Sequence, residues 1–563
     1  MNSPRLSADA LDRLCALTLG LAYVGLLFAT ADTLGYARDE GFYFAAADSY
    51  DRWFQLLFSD PARALERPSV DRFWAYNHEH PSLMKALFAL SHRFLHAEWG
   101  LVAEPGTAYR LPGMLMSGIA VGVTARWGAR SIGRWEGILA GLLLAAMPRV
   151  FYHAHLACFD MPVAAMWLVT TYAYFRSLER PSFGWVVATG VLYGLLLDTK
   201  HNAWLLPPAL VAHFVITRWR TLRTEIRGGR FGVPPAWLAM ATIGPLVFYL
   251  SWPWIWFDTG RRLLDYVAFH TGHEYYNMEF WGRTYWKPPF PLAYAPVMTL
   301  ATVPAITLAL FGLGVAVAAR RFAPLVSGRA APAATVRGHL TPATSPELLW
   351  LVCLLMSYAP WLSSGTPIFG GTKHWITAYP FLCLFAGLGF RELRARAAAA
   401  LSPRLGARAA PLGAAGLFAS VVAAPLAITL DVHPWGLSAY TPLVGGAPGA
   451  ASLGLNRTFW GYTTGSVTEF LNRTVPRNGR VFVHDTAMQS FEMLRADGRL
   501  RADIRPSLTI HGSDFALYHH EPHMSRVEYQ IWVDYGTTRP VHVGTHDGVP
   551  VVWVYARQRS GEP

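Results

Sequence analysis

Apolar residues in this chain are gathered into long runs, and polar residues fall mainly between the runs. Three clear examples are the runs at 14–30, 137–148 and 412–430. A helix needs roughly 17–25 mostly apolar residues to cross the hydrocarbon core of a bilayer, and several runs reach or nearly reach that length. The pattern therefore predicts an all-α protein that crosses a membrane many times.

About eleven spans are expected when windows of this length are placed along the chain. They lie near residues 12–31, 111–128, 135–152, 160–177, 184–199, 202–217, 236–254, 292–318, 347–363, 375–391 and 411–430. The stretch 82–97 differs, because it is apolar on one side but carries Lys85, His92, Arg93 and His96. That composition favours a helix lying at the membrane interface.

The distribution of charge supports this arrangement. Only 15% of the 563 residues are charged, and the net charge is +12. If 82–97 does not cross, one side of the membrane receives six basic segments, at 5–13, 126–134, 176–180, 218–230, 320–337 and 391–408. Because excess Lys and Arg mark the cytoplasmic side, we expect a cytoplasmic N-terminus and an outward-facing loop at 32–110. Membrane lipids then account for the basic charge, and nucleic acid is not an expected partner.

The character of the chain changes after residue 430. Short runs of β-forming residues at 481–483, 529–533 and 551–555 are separated by Gly, Pro, Asp and Asn, which favour turns. We therefore expect a membrane domain at 1–430, followed by a small soluble α/β or mostly β domain at 431–563 on the outer face.

Ionisable residues beside the spans carry the candidate chemistry, because burying them near a bilayer is costly. Asp39 and Glu40 follow the first span, where they either mark the water boundary or hold a general base above the bilayer. Further candidates fall on the same predicted side, namely His80, Lys85, Arg110, Asp160, Lys200, His201, Lys373 and His374. Singly, such residues are often helix caps or snorkelling side chains. Together on one face they indicate a functional site.

A carboxylate with several cations at head-group depth suits the transfer of a sugar from a phosphate carried by a membrane lipid. The lipid phosphate is a fair leaving group, and cations can stabilise it without a general acid. Asp39 would take the proton of an acceptor hydroxyl. That hydroxyl would attack the anomeric carbon from the face opposite the phosphate, so a single displacement inverts the configuration.

Metal binding is an alternative for some of the histidines. The segments 78–80 (His-Glu-His) and 270–274 (His-x-x-His-Glu) contain ligand-type residues. Neither has the HExxH spacing that places two histidines on one helical face. The four cysteines also lack metal-ligand spacing. A divalent metal is therefore not favoured, and no other cofactor is expected.

The order of the motifs resembles that of membrane glycosyltransferases of the GT-C fold, in particular the superfamily of protein O-mannosyltransferases and lipid A aminoarabinose transferases. The resemblance covers about residues 12–430. It rests on Asp39-Glu40 after the first span, His80-Pro81-Ser82-Leu83 with Lys85, Arg110-Leu111-Pro112, Asp160-Met161-Pro162, Thr199-Lys200-His201-Asn202, and Lys373-His374-Trp375 with Tyr379-Pro380. Pro81 stands where the family often has two prolines. The tail at 433–461 is similar to those of bacterial members, which implies a location in a bacterial inner (plasma) membrane.

This resemblance implies a polyprenyl-phosphate-linked sugar donor, an inverting reaction and Asp39 as the catalytic aspartate, with Glu40 beside it. It also implies that Asp160 is a second acidic position. Contact with the donor phosphate is implied for Lys85, Arg110, Lys200 or Lys373. The acceptor is left open as a hydroxyl of a lipid, a glycan or a protein.

Two other functions are alternatives to the one that the resemblance implies. An oligosaccharyltransferase would use a similar scaffold with an asparagine acceptor, but the chain has no Trp-Trp-Asp segment. A lipid or sugar transporter would favour repeated halves and charges near the membrane midplane. Here the candidate charges gather at one face, and no repeat is found.

Overall fold

A computed structural model describes residues 7–218, 222–229, 232–327, 345–368, 370–405, 410–483 and 488–558. The chain is mostly helical, and its strands lie in one short hairpin and in the C-terminal part. This agrees with the helical class predicted from the apolar runs and with a sheet near the C-terminus.

The helices are numbered in chain order: α1 Ala8–Ala29, α2 Arg38–Ser59, α3 Pro61–Ala64, α4 Arg67–Trp74, α5 Leu83–Ser91, α6 Pro105–Ser131, α7 Arg134–Ala145, α8 Pro148–His155, α9 Asp160–Glu179, α10 Phe183–Leu197, α11 Leu206–Arg218, α12 Leu222–Arg227, α13 Pro235–Ser251, α14 Thr259–Thr271, α15 Tyr294–Thr302, α16 Ala305–Ser327, α17 Pro346–Tyr358, α18 Tyr379–Leu405, α19 Ala410–Val432, α20 Gly446–Ser452, α21 Thr468–Thr474, α22 Met488–Ala496 and α23 Ser525–Tyr535. The strands are β1 Met278–Phe280, β2 Arg283–Tyr285, β3 Arg480–Val483, β4 Arg505–Ser507, β5 Phe515–His519, β6 His542–His546 and β7 Val549–Ala556.

The predicted count of eleven spans is not confirmed. Within the described ranges, four helical stretches are long and apolar enough to cross a membrane: Ala8–Thr33, Ala305–Phe322, Ile376–Ala400 and Pro411–Val432. A fifth is added if α7 and α8, which are bent by 70° at a short break, form one span. The apolar helices Phe183–Leu197, Pro235–Ser251 and Pro346–Leu362 are shorter. Other predicted spans lie in helices such as α9, which is buried along nearly its whole length and therefore tolerates more polar residues.

Close helix packing in the bundle depends on glycines at the crossing points. A Cβ added to Gly20 of α1 would lie 2.7 Å from the carbonyl oxygen of Gly118 in α6. A Cβ at Gly314 of α16 would lie 1.9 Å from the carbonyl oxygen of Phe385 in α18. Small residues at helix crossings let backbones approach closely, which is how helices associate without help from the hydrophobic effect inside a bilayer.

The segment between α1 and α6 forms a layer at one end of the bundle, made of the long helix α2 and the short helices α3, α4 and α5. The predicted interfacial stretch 82–97 is helical as α5, followed by a π-helical turn at His92–Glu98. Helix α5 packs against α2 and α6. The C-terminal part covers the same layer, since Val467 and Phe491 belong to one buried apolar cluster with Tyr50 and Phe88.

Within the described residues, the C-terminal sheet has five strands in the order β4-β3-β5-β7-β6. Strand β3 is parallel to β4 and β5, whereas β7 is antiparallel to β5 and β6. The strands predicted at 481–483 and 551–555 fall in β3 and β7. The strand predicted at 529–533 is wrong, because this segment lies in helix α23. Its apolar residues recur at helical spacing, and Val527, Ile531 and Tyr535 pack together against the sheet.

Candidate functional site

A cavity of about 810 Å³ opens at the end of the bundle covered by the short helices and the C-terminal part. Seven separated segments line it within the described residues. They are the starts of α2 and α9, the loops before α5, after α10 and after α17, the segment from the end of α14 to just after β2, and the C-terminal part. The residues predicted from the sequence that line it are Asp39, His80, Asp160, Lys200, His201, Lys373 and His374.

Asp39 and Lys373 form the first charged pair in this cavity. Asp39 lies in the first turn of α2, where the positive end of the helix dipole stabilises a carboxylate. One of its oxygens, Oδ2, is 3.6 Å from Nζ of Lys373, and Arg38 Nε is 4.0 Å from Oδ1. The Asp39 side chain keeps 22% of its surface exposed, so a substrate can reach it.

Lys373 is held over an aromatic wall that comes from the C-terminal part. Its Nζ lies 4.0 Å from the centre of the Trp460 ring and 5.5 Å from that of Phe459. Burial lowers the pKa of Lys373 below its ordinary value, while the charges of Asp39 and Asp160 oppose that shift. The nearby carboxylates favour the charged ammonium form of Lys373. Because Lys373 lines the cavity, an anionic ligand in the cavity can reach it.

Asp160 and Lys200 form the second pair. Asp160 is the first residue of α9, and its Oδ1 accepts a hydrogen bond from Nζ of Lys200 at 2.7 Å. Its other oxygen, Oδ2, is 3.6 Å from Nδ1 of His153. The Asp160 side chain is almost fully buried, whereas Lys200 is 16% exposed. Two carboxylate–lysine pairs therefore face one cavity, and each contributes a lysine ammonium, a group that can bind phosphate.

Histidines make up a neutral part of the lining. The rings of His201 and His270 stack with centroids 4.0 Å apart, and His80 lies 5.7 Å from His270. Burial lowers the pKa of His80 and of His201 well below the ordinary value, and lowers that of His270 to about 4. These rings are therefore uncharged near neutral pH, and can exchange hydrogen bonds with hydroxyl groups. The ring of His374 packs against that of Trp361, with the ring centroids 4.5 Å apart.

The same histidines include members of the two segments with ligand-type residues, 78–80 and 270–274. Within the part of the chain that the structure describes, no group of three or more His, Cys, Asp or Glu side chains is placed to hold a metal ion. In the segment 270–274, His270 instead contacts the carbonyl oxygen of Glu79 at 2.9 Å through Nε2.

Three of the predicted site residues lie outside the cavity lining. Glu40 and Arg110 are fully buried and pair with each other, with Arg110 Nε 2.8 Å from Glu40 Oε1. Lys85 is also fully buried, and its Nζ donates to the carbonyl oxygens of Asn77 at 2.6 Å and His80 at 2.8 Å. The resemblance allowed Lys85 or Arg110 to contact the donor phosphate. In the structure neither side chain lines the cavity, because their N–H groups donate to other groups of the protein.

Other residues of the lining were not predicted. Arg38 and Glu79 are direct neighbours of predicted residues, and could have been found from the same motifs. Trp460 and His523 come from the C-terminal part, where nothing in the local sequence marks them as site residues. His523 Nδ1 lies 3.3 Å from Oε1 of Glu279. Only long-range packing brings these side chains to the cavity.

The fold and the cavity together define a helical membrane protein with a charged site at one end of its bundle. Residues 89–252 match the family described as dolichyl-phosphate-mannose-protein mannosyltransferase, which confirms over that segment the resemblance inferred from the motifs. No curated protein matches the chain significantly.

Several solved structures are similar to this chain. ArnT from Cupriavidus metallidurans bound to undecaprenyl phosphate is 15% identical, with 95% of this chain and 97% of that chain covered and a TM-score of 0.46. The oligosaccharyltransferase of Archaeoglobus fulgidus in its apo form is 10% identical, with 94% and 71% covered and a TM-score of 0.47.

Proposed function

We propose that this protein is an inverting glycosyltransferase that moves a sugar from a polyprenyl-phosphate donor to a hydroxyl of a lipid, glycan or protein acceptor. The observation that carries the proposal is the pair of carboxylate–lysine contacts, Asp39 with Lys373 and Asp160 with Lys200, in one cavity. The description of the matched family names dolichyl-phosphate-mannose, a sugar linked to a lipid phosphate, and this supports a donor of the same class.

In the proposed reaction the bond between the anomeric carbon and the phosphate oxygen breaks as the bond to the acceptor oxygen forms. The acceptor proton passes to the carboxylate of Asp39, which is the more exposed of the two cavity aspartates. The electron pair of the broken bond stays on the lipid phosphate. Lys373 and Lys200 stabilise that charge, since preorganised cations in a site sheltered from water are worth more than in bulk solvent.

The remaining lining residues have supporting roles in the proposal. Asp160 orients Lys200 through its 2.7 Å hydrogen bond. The neutral rings of His80, His201 and His270 are suited to the hydroxyls of the sugar or the acceptor. Glu40 and Arg110 act as positioning residues, because their ion pair lies directly behind the turn that carries Asp39.

The two-domain arrangement, with a boundary near residue 430, is part of this proposal, as is an outward-facing cavity. The segment 431–563 would help select the acceptor, since it supplies Phe459, Trp460, Glu521 and His523 to the lining. An outer location suits this, because the predicted basic segments fall at the other ends of the helices.

Mass spectrometry of glycolipids and glycoproteins from a deletion strain tests the proposal, because it detects the sugar and the acceptor together. We expect one sugar modification to be lost on deletion and restored by the wild-type protein but not by Asp39→Asn. Asp51→Asn is the matched control, since Asp51 lies on the same helix with 21% of its side chain exposed. Unchanged glycoconjugates in the deletion strain, or restoration by Asp39→Asn, would refute the proposal.

A further inference from the structure

A second cavity, of about 920 Å³, runs along the side of the bundle between α1, α6, the end of α9 and the start of α10. Its lining on α1 extends from Asp9 to Val24, whereas Asp39 of the first cavity lies beyond the other end of this helix. Asp9 lies 20 positions before Ala29, the end of α1, which corresponds to roughly 30 Å along the helix. This groove is therefore separate from the first cavity, and only the choice of a glycerophospholipid over a polyprenyl phosphate as its occupant rests on the proposed transferase function.

The wall of the groove is apolar and open to the surroundings of the bundle. Leu17 and Leu21 of α1 are 59% and 58% exposed, and Leu115 and Ile119 of α6 are 46% and 44% exposed. Helices of a membrane protein turn such residues toward hydrocarbon chains. The wall therefore fits an acyl chain lying along the helices.

The end of the groove away from the first cavity is basic. Its arginines are Arg13 of α1, Arg126 and Arg130 of α6, Arg176 of α9, and Arg180 directly after α9. Two carboxylates pair with members of this group: Asp9 with Arg13 and Arg126, and Glu179 with Arg130 and Arg176. Guanidinium groups outnumber carboxylates, so this end of the groove keeps a net positive charge.

Arg176 shows that the basic end is more than a set of surface charges. Its side chain is only 9% exposed, and its Nη1 lies 3.4 Å from Oε2 of Glu179. The guanidinium sits 5.2 Å from the centre of the Trp185 ring. Its Nε is buried and has no hydrogen-bond partner among the described residues. A buried donor without an acceptor is costly, which indicates that an acceptor from outside the chain completes it.

We infer that this groove binds one anionic glycerophospholipid of the surrounding membrane, with its phosphate on the arginines and an acyl chain on the apolar wall. Guanidinium groups bind phosphate oxygens through paired hydrogen bonds, and basic pockets between spans take up acidic head groups. A structural phospholipid is the occupant, because the lysines assigned to a polyprenyl phosphate lie at the other end of α1.

Native mass spectrometry of the purified full-length protein, supplied with phosphatidylglycerol or phosphatidylcholine, tests this inference. We expect one phosphatidylglycerol to be retained in preference to phosphatidylcholine. Arg176→Gln and Arg180→Gln should each weaken phosphatidylglycerol binding by about fivefold. This is the change in affinity expected when one basic residue near an anionic lipid loses its charge. Arg180 is exposed, so its variant keeps the test informative if Arg176→Gln fails to fold.

Two further variants sharpen the experiment. Ile119→Trp fills the apolar wall without changing a charge and should weaken both lipids. Arg396→Gln makes the same charge change outside the groove, at an exposed residue of α18, and should leave binding unchanged. Equal retention of the two lipids, an equal effect of Arg396→Gln, or displacement of phosphatidylglycerol from the groove by polyprenyl phosphate would overturn the inference.

Discussion

Glu40 and Arg110 form a fully buried, two-point ion pair in which Nε and Nη2 of the arginine each lie 2.8 Å from a carboxylate oxygen. The same carboxylate accepts hydrogen bonds from the backbone N–H groups of Ala37 and Ala157, and Arg110 Nη2 also donates to the carbonyl oxygen of Gly35. This network joins the turn before Asp39 to α6 and to the segment before Asp160. It fixes the backbone on which both cavity aspartates stand.

Removal of one partner of this pair should destabilise the protein. Arg110→Leu leaves the Glu40 carboxylate buried without its cation, which costs about 3–5 kcal/mol in comparable pairs. The expected result is a clearly lower Tm in detergent. The double variant Glu40→Gln with Arg110→Leu should recover part of the loss, because no charge is left unpaired. Wild-type stability of Arg110→Leu together with weaker donor binding would place Arg110 on the donor instead.

Lys373 is expected to contact the donor phosphate. Lys373→Met should lower kcat/KM by roughly 10²–10³, the usual effect of losing one strong transition-state contact. The chain has only four lysines, and Lys287 is exposed and outside the cavity lining. Lys287→Met is therefore the matched control, and a similar loss in both variants would argue against a direct role of Lys373.

The lowered pKa of Lys373 predicts how donor use depends on pH. A phosphate contact requires the ammonium form, and burial lowers the pKa of this lysine. Transfer should therefore decline on the alkaline side at a lower pH than an ordinary lysine would give. Lys373→Arg should extend activity to higher pH, because a guanidinium stays protonated. A pH–rate profile with the same alkaline limit in both proteins contradicts this prediction.

Asp160 and Lys200 should behave as a coupled pair. Lys200→Met leaves the buried Asp160 carboxylate near His153 without its closest cation, so this single change should reduce stability more than Asp160→Asn does. The double variant should lose less than the sum of the two changes, by roughly 0.5–3 kcal/mol. Thermal unfolding of the wild type, the two single variants and the double variant measures this coupling. If the two single effects simply add, the contact contributes nothing to stability.

Lys85 predicts a pH dependence of stability. Burial lowers its pKa from the ordinary 10.5 to about 7, so between these values the unfolded chain binds a proton that the folded chain does not. Stability from this group therefore rises with pH across that window. Lys85→Met should flatten the rise seen in Tm. It should also raise KM, because the lysine holds the carbonyl oxygens of Asn77 and His80 beside the cavity. An unchanged pH dependence would contradict the prediction.

The sequence by itself determined most of the helical layout and many of the lining residues. Apolar runs are local signals, so helices such as α1 and α19 follow directly from them. Asp39, Asp160 and Lys373 were also identified from the apolar runs, because they are ionisable residues beside the predicted spans. Each stands at the end of a helix or span, and parallel and antiparallel helices bring their ends to the same face.

Only the tertiary structure decided which charges face the cavity. Adjacent helical residues point about 100° apart, so Asp39 opens into the cavity while Glu40 turns inward to Arg110. Lys85 is likewise directed at backbone carbonyl oxygens. Trp460 and His523 reach the site through contacts between distant parts of the chain, and segment 529–533 became a helix because its apolar face packs on the sheet. Such pairings depend on packing in three dimensions, which no local pattern encodes.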